Sequence, residues 1–392
     1  MVMLGFSLMV LAYTLPTDIA HDNIVHDAET LYNLDQLVIP EHFTTKLDIY
    51  TDTLILSEIS YYNENVSLID NAMSVYGIRD GADFQKFIEG DDSVIDEYPR
   101  YWHGNLVVYK PLFCFVDYNA VKILELFFEM VMIIAIVRLM FKNNLKNYII
   151  PFILSLFFIH PEVIGICLQY MPMFNLMLIS VYILLKFKDY LLENDRIIYY
   201  FLIVGMSAGF FDFTTYPLIT FGIPTIYYML LENDKQTLKT NVLKIILFGL
   251  IWGVGFVGMW ASKWIISSII LDKNVIANAL DKLLWRTSSI KFTRIDAIWA
   301  NVSIYKKREY LMIMGLIGIY YIKRLISAKQ NITKDNVKNL IPFILIALTP
   351  FAWYFIVSNH SFIHCPFTYR TLLILFFAVM CSFEYIISKK KV

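Results

Sequence analysis

The densest polar cluster in this chain is Asn359-His360-Ser361-Phe362-Ile363-His364-Cys365-Pro366-Phe367-Thr368-Tyr369-Arg370, set between two strongly apolar runs. Polar and ionisable groups at such a place are costly unless they are used. His360 and His364 are four residues apart, which puts them on one face of a helical turn. Tyr369 and Arg370 stand where the last apolar run begins. Arginine offers a bidentate fork and histidine a donor that titrates near neutral pH, a combination suited to a phosphate. The alternative is an interfacial loop around a satisfied arginine. Two histidines do not make a metal site without a third ligand, which the sequence does not place, so a divalent metal stays open as a cofactor.

Other polar groups punctuate the apolar sequence. Arg100-Tyr101-Trp102-His103-Gly104 combines two amphipathic aromatics, the usual anchors at a membrane interface, with Arg100 and His103, which anchoring does not require. Those two suit a lipid head group or a sugar. Phe211-Asp212-Phe213-Thr214-Thr215-Tyr216-Pro217 places one carboxylate, Asp212, between two apolar runs. It has either a functional role or an ion pair with Lys263 of Trp260-Ala261-Ser262-Lys263-Trp264. Asp18 and Asp22, with His21 between them, follow the first apolar run and could hold a general base beside a lipid-borne substrate. The competing role is acids in the first turn of a helix, favoured by its dipole. Asp48 and Asp52 share one helical face and read as its solvated side.

These groups need a scaffold, and composition identifies it. Of 392 residues, 58% are hydrophobic and 17% charged, with a mean hydropathy of +0.56. Soluble domains hold about 45–50% apolar and about 25% charged residues, so the excess faces a bilayer. The balance of 33 Lys+Arg against 34 Asp+Glu lacks the basic excess of a nucleic-acid binder. The four cysteines, Cys114, Cys167, Cys365 and Cys381, are far apart and indicate neither zinc nor redox chemistry.

Apolar runs mark ten candidate spans, near 1–16, 119–141, 148–160, 171–187, 197–211, 217–231, 243–270, 309–322, 340–358 and 371–388. Several are short, and Pro161, Pro172 and Pro217 predict broken or half-length helices in the middle of the chain. Lysines and arginines cluster at 138–146, 186–196, 235–244, 323–338 and 389–391, alternating with the spans. By the positive-inside rule both termini are then cytoplasmic. The first run lacks the basic start and small-residue cleavage site of a signal peptide and reads as a retained helix. The expected fold is all-α, a polytopic bundle in the cell membrane with a large first extracytoplasmic loop. It divides into a first transmembrane helix at 1–16, an acidic loop domain at 17–116 and a multi-helix membrane domain at 117–392. The segment 271–308 resists this topology: it lies outside, yet carries Lys273, Lys282, Arg286, Lys291, Arg294, Lys306, Lys307 and Arg308. Either the span count is off by one there or those cations act outside.

Many spans, a large first outer loop with Asp18 next to the first span, and outer loops rich in His and basic residues resemble the plan of the GT-C membrane glycosyltransferases. RYWHG, FFDFTTYP, MWASKW and NHSFIHCPFTYR look like segments of bacterial membrane proteins found beside surface-polysaccharide functions. The GT-C resemblance implies a polyprenyl-phosphate sugar as donor, a glycan or lipid acceptor, and an acidic residue early in the first outer loop as base or metal ligand. Asp18 best matches that position, with Asp22 next. Two features depart from the plan: the paired-carboxylate signature of the metal-dependent members is missing, and no large soluble domain follows the last span. The expected chemistry is inverting glycosyl transfer on the outer face. Asp18 or Asp22 deprotonates the acceptor, while Arg370, His360 and His364, with Arg286 and Lys263, stabilise the phosphate leaving group. Arg100, His103, Asp212 and Tyr369 complete the expected substrate-binding set. The alternatives are a transporter or flippase for a lipid-linked glycan, in which the same cations bind without chemistry, and a non-catalytic partner in surface-polysaccharide assembly.

Overall fold

The computed structural model describes residues 1–26, 37–39 and 42–389; Asp27, Glu29 and Asp35 of the acidic segment and Lys390 and Lys391 of the tail lie outside them. The chain opens on apolar α1 (Val2–Ala12) and bends by 73° into α2 (Thr17–His26). Helices α3 (Ile49–Ser60) and α4 (Leu68–Ser74) follow, then a two-stranded antiparallel ribbon of β1 (Tyr76–Ile78) and β2 (Ile95–Glu97). After α5 (Leu106–Phe113) come the long helices α6 (Tyr118–Lys142), α7 (Met171–Lys186), α8 (Ile197–Phe211), α9 (Ile219–Glu232) and α10 (Leu238–Leu271). Two amphipathic helices, α11 (Val275–Thr287) and α12 (Arg294–Ser303), precede α13 (Arg308–Ser327), α14 (Ile341–Ile356), the short α15 (Ser358–Ile363) and α16 (Leu373–Ser388).

Among the described residues, four helical stretches are long and apolar enough to cross a bilayer: α10, α13, Lys334–Ile356 ending in α14, and Cys365–Ser388 containing α16. Counting each bent pair as one span, α1 with α2 and α7 with Lys188–Asp195, brings the number to six. This is fewer than the ten apolar runs. At about 1.5 Å per residue, the 15 residues of α8 fall short of a hydrocarbon core of about 30 Å. The 25-residue α6 is long enough but carries Glu125, Glu129 and Arg138.

The bundle is held by close backbone approach. A Cβ on Gly205 of α8 would lie 2.1 Å from the Trp252 carbonyl oxygen of α10, and one on Gly209 would lie 2.5 Å from that of Phe256. In return, Gly255 of α10 faces the Leu202 carbonyl of α8. Small residues four apart let apolar helices meet at this distance where burial of apolar surface cannot drive them together. The segment between α2 and α6 shares its core with the bundle: Ile55, Leu56, Ala72, Met73, Phe84 and Trp102 pack with Met9, Leu168, Phe210 and Met259.

The loops sort to two ends. At one end Asn143 donates to the Leu185 carbonyl, Asn233 to that of Asn339 and Asn331 to that of Lys389, gathering the basic loops. At the other, Asn359 donates to the Trp285 carbonyl, Ser358 to that of Thr287 and Asn301 to that of Ser361. The anomalous segment 271–308 therefore joins 212–216 and 359–370, away from the other basic loops.

Candidate functional site

The site is built around α3. Asp48 caps its N-terminus, accepting from the Thr51 N–H at 3.1 Å. Asp52, expected on a solvated face, is instead buried. Its carboxylate accepts from the Leu168 and Gln169 N–H groups and the Tyr118 hydroxyl, each at 3.0 Å. The buried turn N–H groups at 168–169 need an acceptor, and Asp52 supplies it, locking α3 to the start of α7.

Farther along α3, Glu58 accepts from Arg79 at 2.9 Å with one oxygen and from His103 Nδ1 at 2.9 Å with the other. His103 Nε2 faces the Tyr98 carbonyl at 3.0 Å. Both ring nitrogens face acceptors, while burial, against the pull of Glu58, lowers the ring below the usual histidine range. Burial alone would raise Glu58, but His103 and Arg79 outweigh it and hold its carboxyl below the usual range. The result is a fixed chain of Arg79, Glu58 and His103.

Glu58 lines a cavity of about 150 Å³ together with Thr51, Gln169, Arg286, His360 and His364. Arg286, on the last turn of α11, donates to the Thr214 hydroxyl and lies 5.3 Å from the Tyr101 ring centroid. Among the described residues it has no carboxylate at ion-pair distance. His360 donates from Nε2 to the Thr214 carbonyl at 2.7 Å, while its buried Nδ1 has no partner. Burial, then the Arg286 charge and His364, push His360 well down. Burial and Arg286 bring His364 to about 4. Both rings are neutral at pH 7, with lone pairs free to accept. Asp212 stands behind this wall: one oxygen accepts from the Thr215 N–H at 2.8 Å and the other, buried, has no partner. Burial raises it to about 6 against the Thr215 hydrogen bonds and the Arg286 charge.

Two residues around this site hold left-handed backbone, His103 at φ 53° and Thr214 at φ 73°. For a β-branched threonine such a conformation is strained by about 1–3 kcal/mol and persists only where its surroundings over-determine it. At Thr214 those surroundings are His360 on the carbonyl and Arg286 on the hydroxyl.

Of the residues singled out in the sequence, the fold thus gathers His103, Asp212, Arg286, His360 and His364. Arg100 lies beside the cavity, 4.6 Å from the Tyr98 ring and donating to Asn278 at 2.6 Å. Lys263 does not pair with Asp212. It is buried and donates to the Met73 carbonyl at 2.9 Å, satisfying the C-terminus of α4. Tyr369 and Arg370 are also buried, outside the cavity lining. Tyr369 donates to the Thr44 carbonyl at 2.6 Å, and the Arg370 guanidinium sits 4.0 Å from the Tyr170 ring and donates to the Pro366 carbonyl at 3.1 Å. Asp18 and Asp22 are exposed on α2 and line no part of this cavity. Sequence reading missed Glu58, Arg79 and Gln169. Arg79 stands 21 residues from Glu58 and His103 stands 45, so no local spacing announces the chain they form. Among the described residues, no group of three or more His, Cys, Asp or Glu side chains is placed to hold a metal ion.

In comparisons with protein-family models, curated proteins and solved structures, nothing matches this chain.

Proposed function

We propose that the chain is a membrane glycosyltransferase taking a sugar from a polyprenyl-phosphate donor to a glycan or lipid acceptor, on the side of the membrane that the cavity faces. The observation that supports this most is the meeting of Arg286, His360 and His364, from two distant loops, on one cavity whose only carboxylate among the described lining residues, Glu58, is paired with Arg79 and hydrogen-bonded to His103. Such a cavity favours an anion.

In this reading the Arg286 fork and the neighbouring His364 hold the donor phosphate. As the bond from the anomeric carbon to the phosphate oxygen breaks, the leaving polyprenyl phosphate gains a negative charge that Arg286 is already placed to stabilise. The acceptor hydroxyl forms the new bond to that carbon and gives its proton to His360 Nδ1. The depressed basicity of His360 keeps its lone pair available at neutral pH. It takes the base role that the sequence offered to Asp18 or Asp22, because those residues lie outside the cavity.

Lipid mass spectrometry on cells with and without the protein tests the reading. Deletion is expected to accumulate one polyprenyl-phosphate sugar, restored to the normal level by wild type, Asp18→Asn and Asp22→Asn but not by Arg286→Ala or His360→Gln. Rescue by His360→Gln with failure of Asp18→Asn returns the base to α2. Purified protein that equilibrates the labelled donor between vesicle leaflets with no acceptor present is a transporter instead.

A further inference from the structure

On the other side of the wall formed by 103–105 and 211–213 lies a second cavity, of about 320 Å³, between α5, α6, α7 and the end of α8. Its lining is almost wholly apolar, and the rim residues Val108, Leu124 and Ile179 are exposed. It opens on the apolar flank of the bundle rather than on a polar end.

Besides Tyr109, whose hydroxyl is taken up by the Leu168 carbonyl, three polar side chains break that lining. Asn105 is 1% exposed, and neither its amide nitrogen nor its carbonyl oxygen has a partner. Asn175 donates to Glu125 at 2.7 Å and leaves its own buried carbonyl oxygen unpartnered. A buried amide without hydrogen bonds costs about 1–3 kcal/mol, and Asn105 leaves both of its groups unmade. Apolar residues of similar volume would fill the same space without that cost. Among the described residues the lining holds no lysine, arginine or histidine, and its one carboxyl is that of Glu125. A phosphate or carboxylate head would meet repulsion and no cation, the reverse of the Arg286 cavity.

We propose that this cavity is a binding site for a neutral lipid with a hydroxyl head, its chain on the apolar wall. A hydroxyl both donates and accepts, matching the free oxygen of Asn175 and the free amide of Asn105. Entry is lateral, past Val108, Leu124 and Ile179. The site stands independently of the phosphate cavity and of the glycosyl-transfer reading.

The test is photocrosslinking of full-length protein in lipid nanodiscs with a diazirine-bearing long-chain alcohol, mapped by peptide mass spectrometry. Unlabelled long-chain alcohol, alkyl phosphate and fatty acid of equal chain length serve as competitors. Crosslinks are expected on α5, α6 and α7, with the alcohol competing at least about tenfold better than either anion, the loss expected for one unmade buried hydrogen bond. Asn105→Leu removes the polar partner while keeping the volume, and should lower capture by a similar factor. Ile179→Trp, which narrows the mouth from an exposed position and leaves the core intact, should block capture. Crosslinks confined to other helices, equal competition by alkyl phosphate, or undiminished capture by a folded Asn105→Leu protein would each overturn the proposal.

Discussion

At the scale of single residues, the site sets two buried titrations against each other. Asp212 is raised to about 6 by burial, above an unfolded carboxyl near 3.9. The fold therefore binds its proton more tightly than the unfolded chain, and its contribution to stability is lost as pH rises through that interval. His364, depressed to about 4 by burial from about 6.5, does the opposite: its contribution is full above that value and is lost as pH falls toward the folded one. In Asp212→Asn, stability measured by detergent-phase unfolding should rise more steeply with pH between about 4 and 6 than in wild type. In His364→Gln it should rise less or fall. Each difference is bounded at about 1.4 kcal/mol per pH unit, the value for one proton. Equal slopes in both variants would show that neither group titrates in the fold as described. His360 and His364 were legible as a pair from their four-residue spacing, and the structure sets their rings side by side, tilted by 43°, with centroids 4.6 Å apart. Glu58 was not, because it sits in an apolar helix and its partners arrive from distant turns.

At the scale of elements, the contact of α8 with α10 rests on glycines that no side chain can replace. Gly205→Val would drive its side chain into the Trp252 carbonyl, and overpacking of this kind typically costs about 1–3 kcal/mol. Gly253→Ala in α10 has no atom within 4 Å of the added Cβ and should unfold at the wild-type temperature. A Gly205→Val protein as stable as Gly253→Ala would mean the two helices do not cross as described. The spacing Gly205-Met206-Ser207-Ala208-Gly209 carries this contact openly in the sequence, since small residues four apart on an apolar helix are a packing signature. The sequence reading expected breaks at Pro161, Pro172 and Pro217, yet the bends of 73° and 84° come elsewhere, the first at Pro16 between α1 and α2 and the second at Phe187, where no proline stands.

For the whole molecule, the number of apolar runs exceeded the helices able to cross a bilayer, and the basic segment 271–308 gathered with the loops at 212–216 and 359–370. Several runs are apolar because they line the core, and composition cannot separate lipid-facing from protein-facing apolar surface. Single cysteines at Ser289 and Gln330, on a background with Cys114, Cys167, Cys365 and Cys381 replaced by serine or alanine, test the arrangement. In intact cells a membrane-impermeant thiol reagent should label Ser289→Cys and leave Gln330→Cys unlabelled until the membrane is opened. Labelling of both, or of neither, would place the two loops on one side.

The Thr44 carbonyl receives the Tyr369 hydroxyl and lies 3.5 Å from the Arg370 guanidinium, tying together positions 325 and 326 residues apart. A ribosome makes the chain in one direction, so the first of these groups is inserted long before the second exists. Throughout synthesis the segment around Thr44 waits with its carbonyl unmet, and Arg370 enters last, bringing a charge whose aromatic and carbonyl cage is already built. Quality-control proteases therefore have a window that closes only with the final helix. Nascent chains arrested after Ser358 should be cut at residues 42–47 by added protease, whereas the finished protein should resist at those residues.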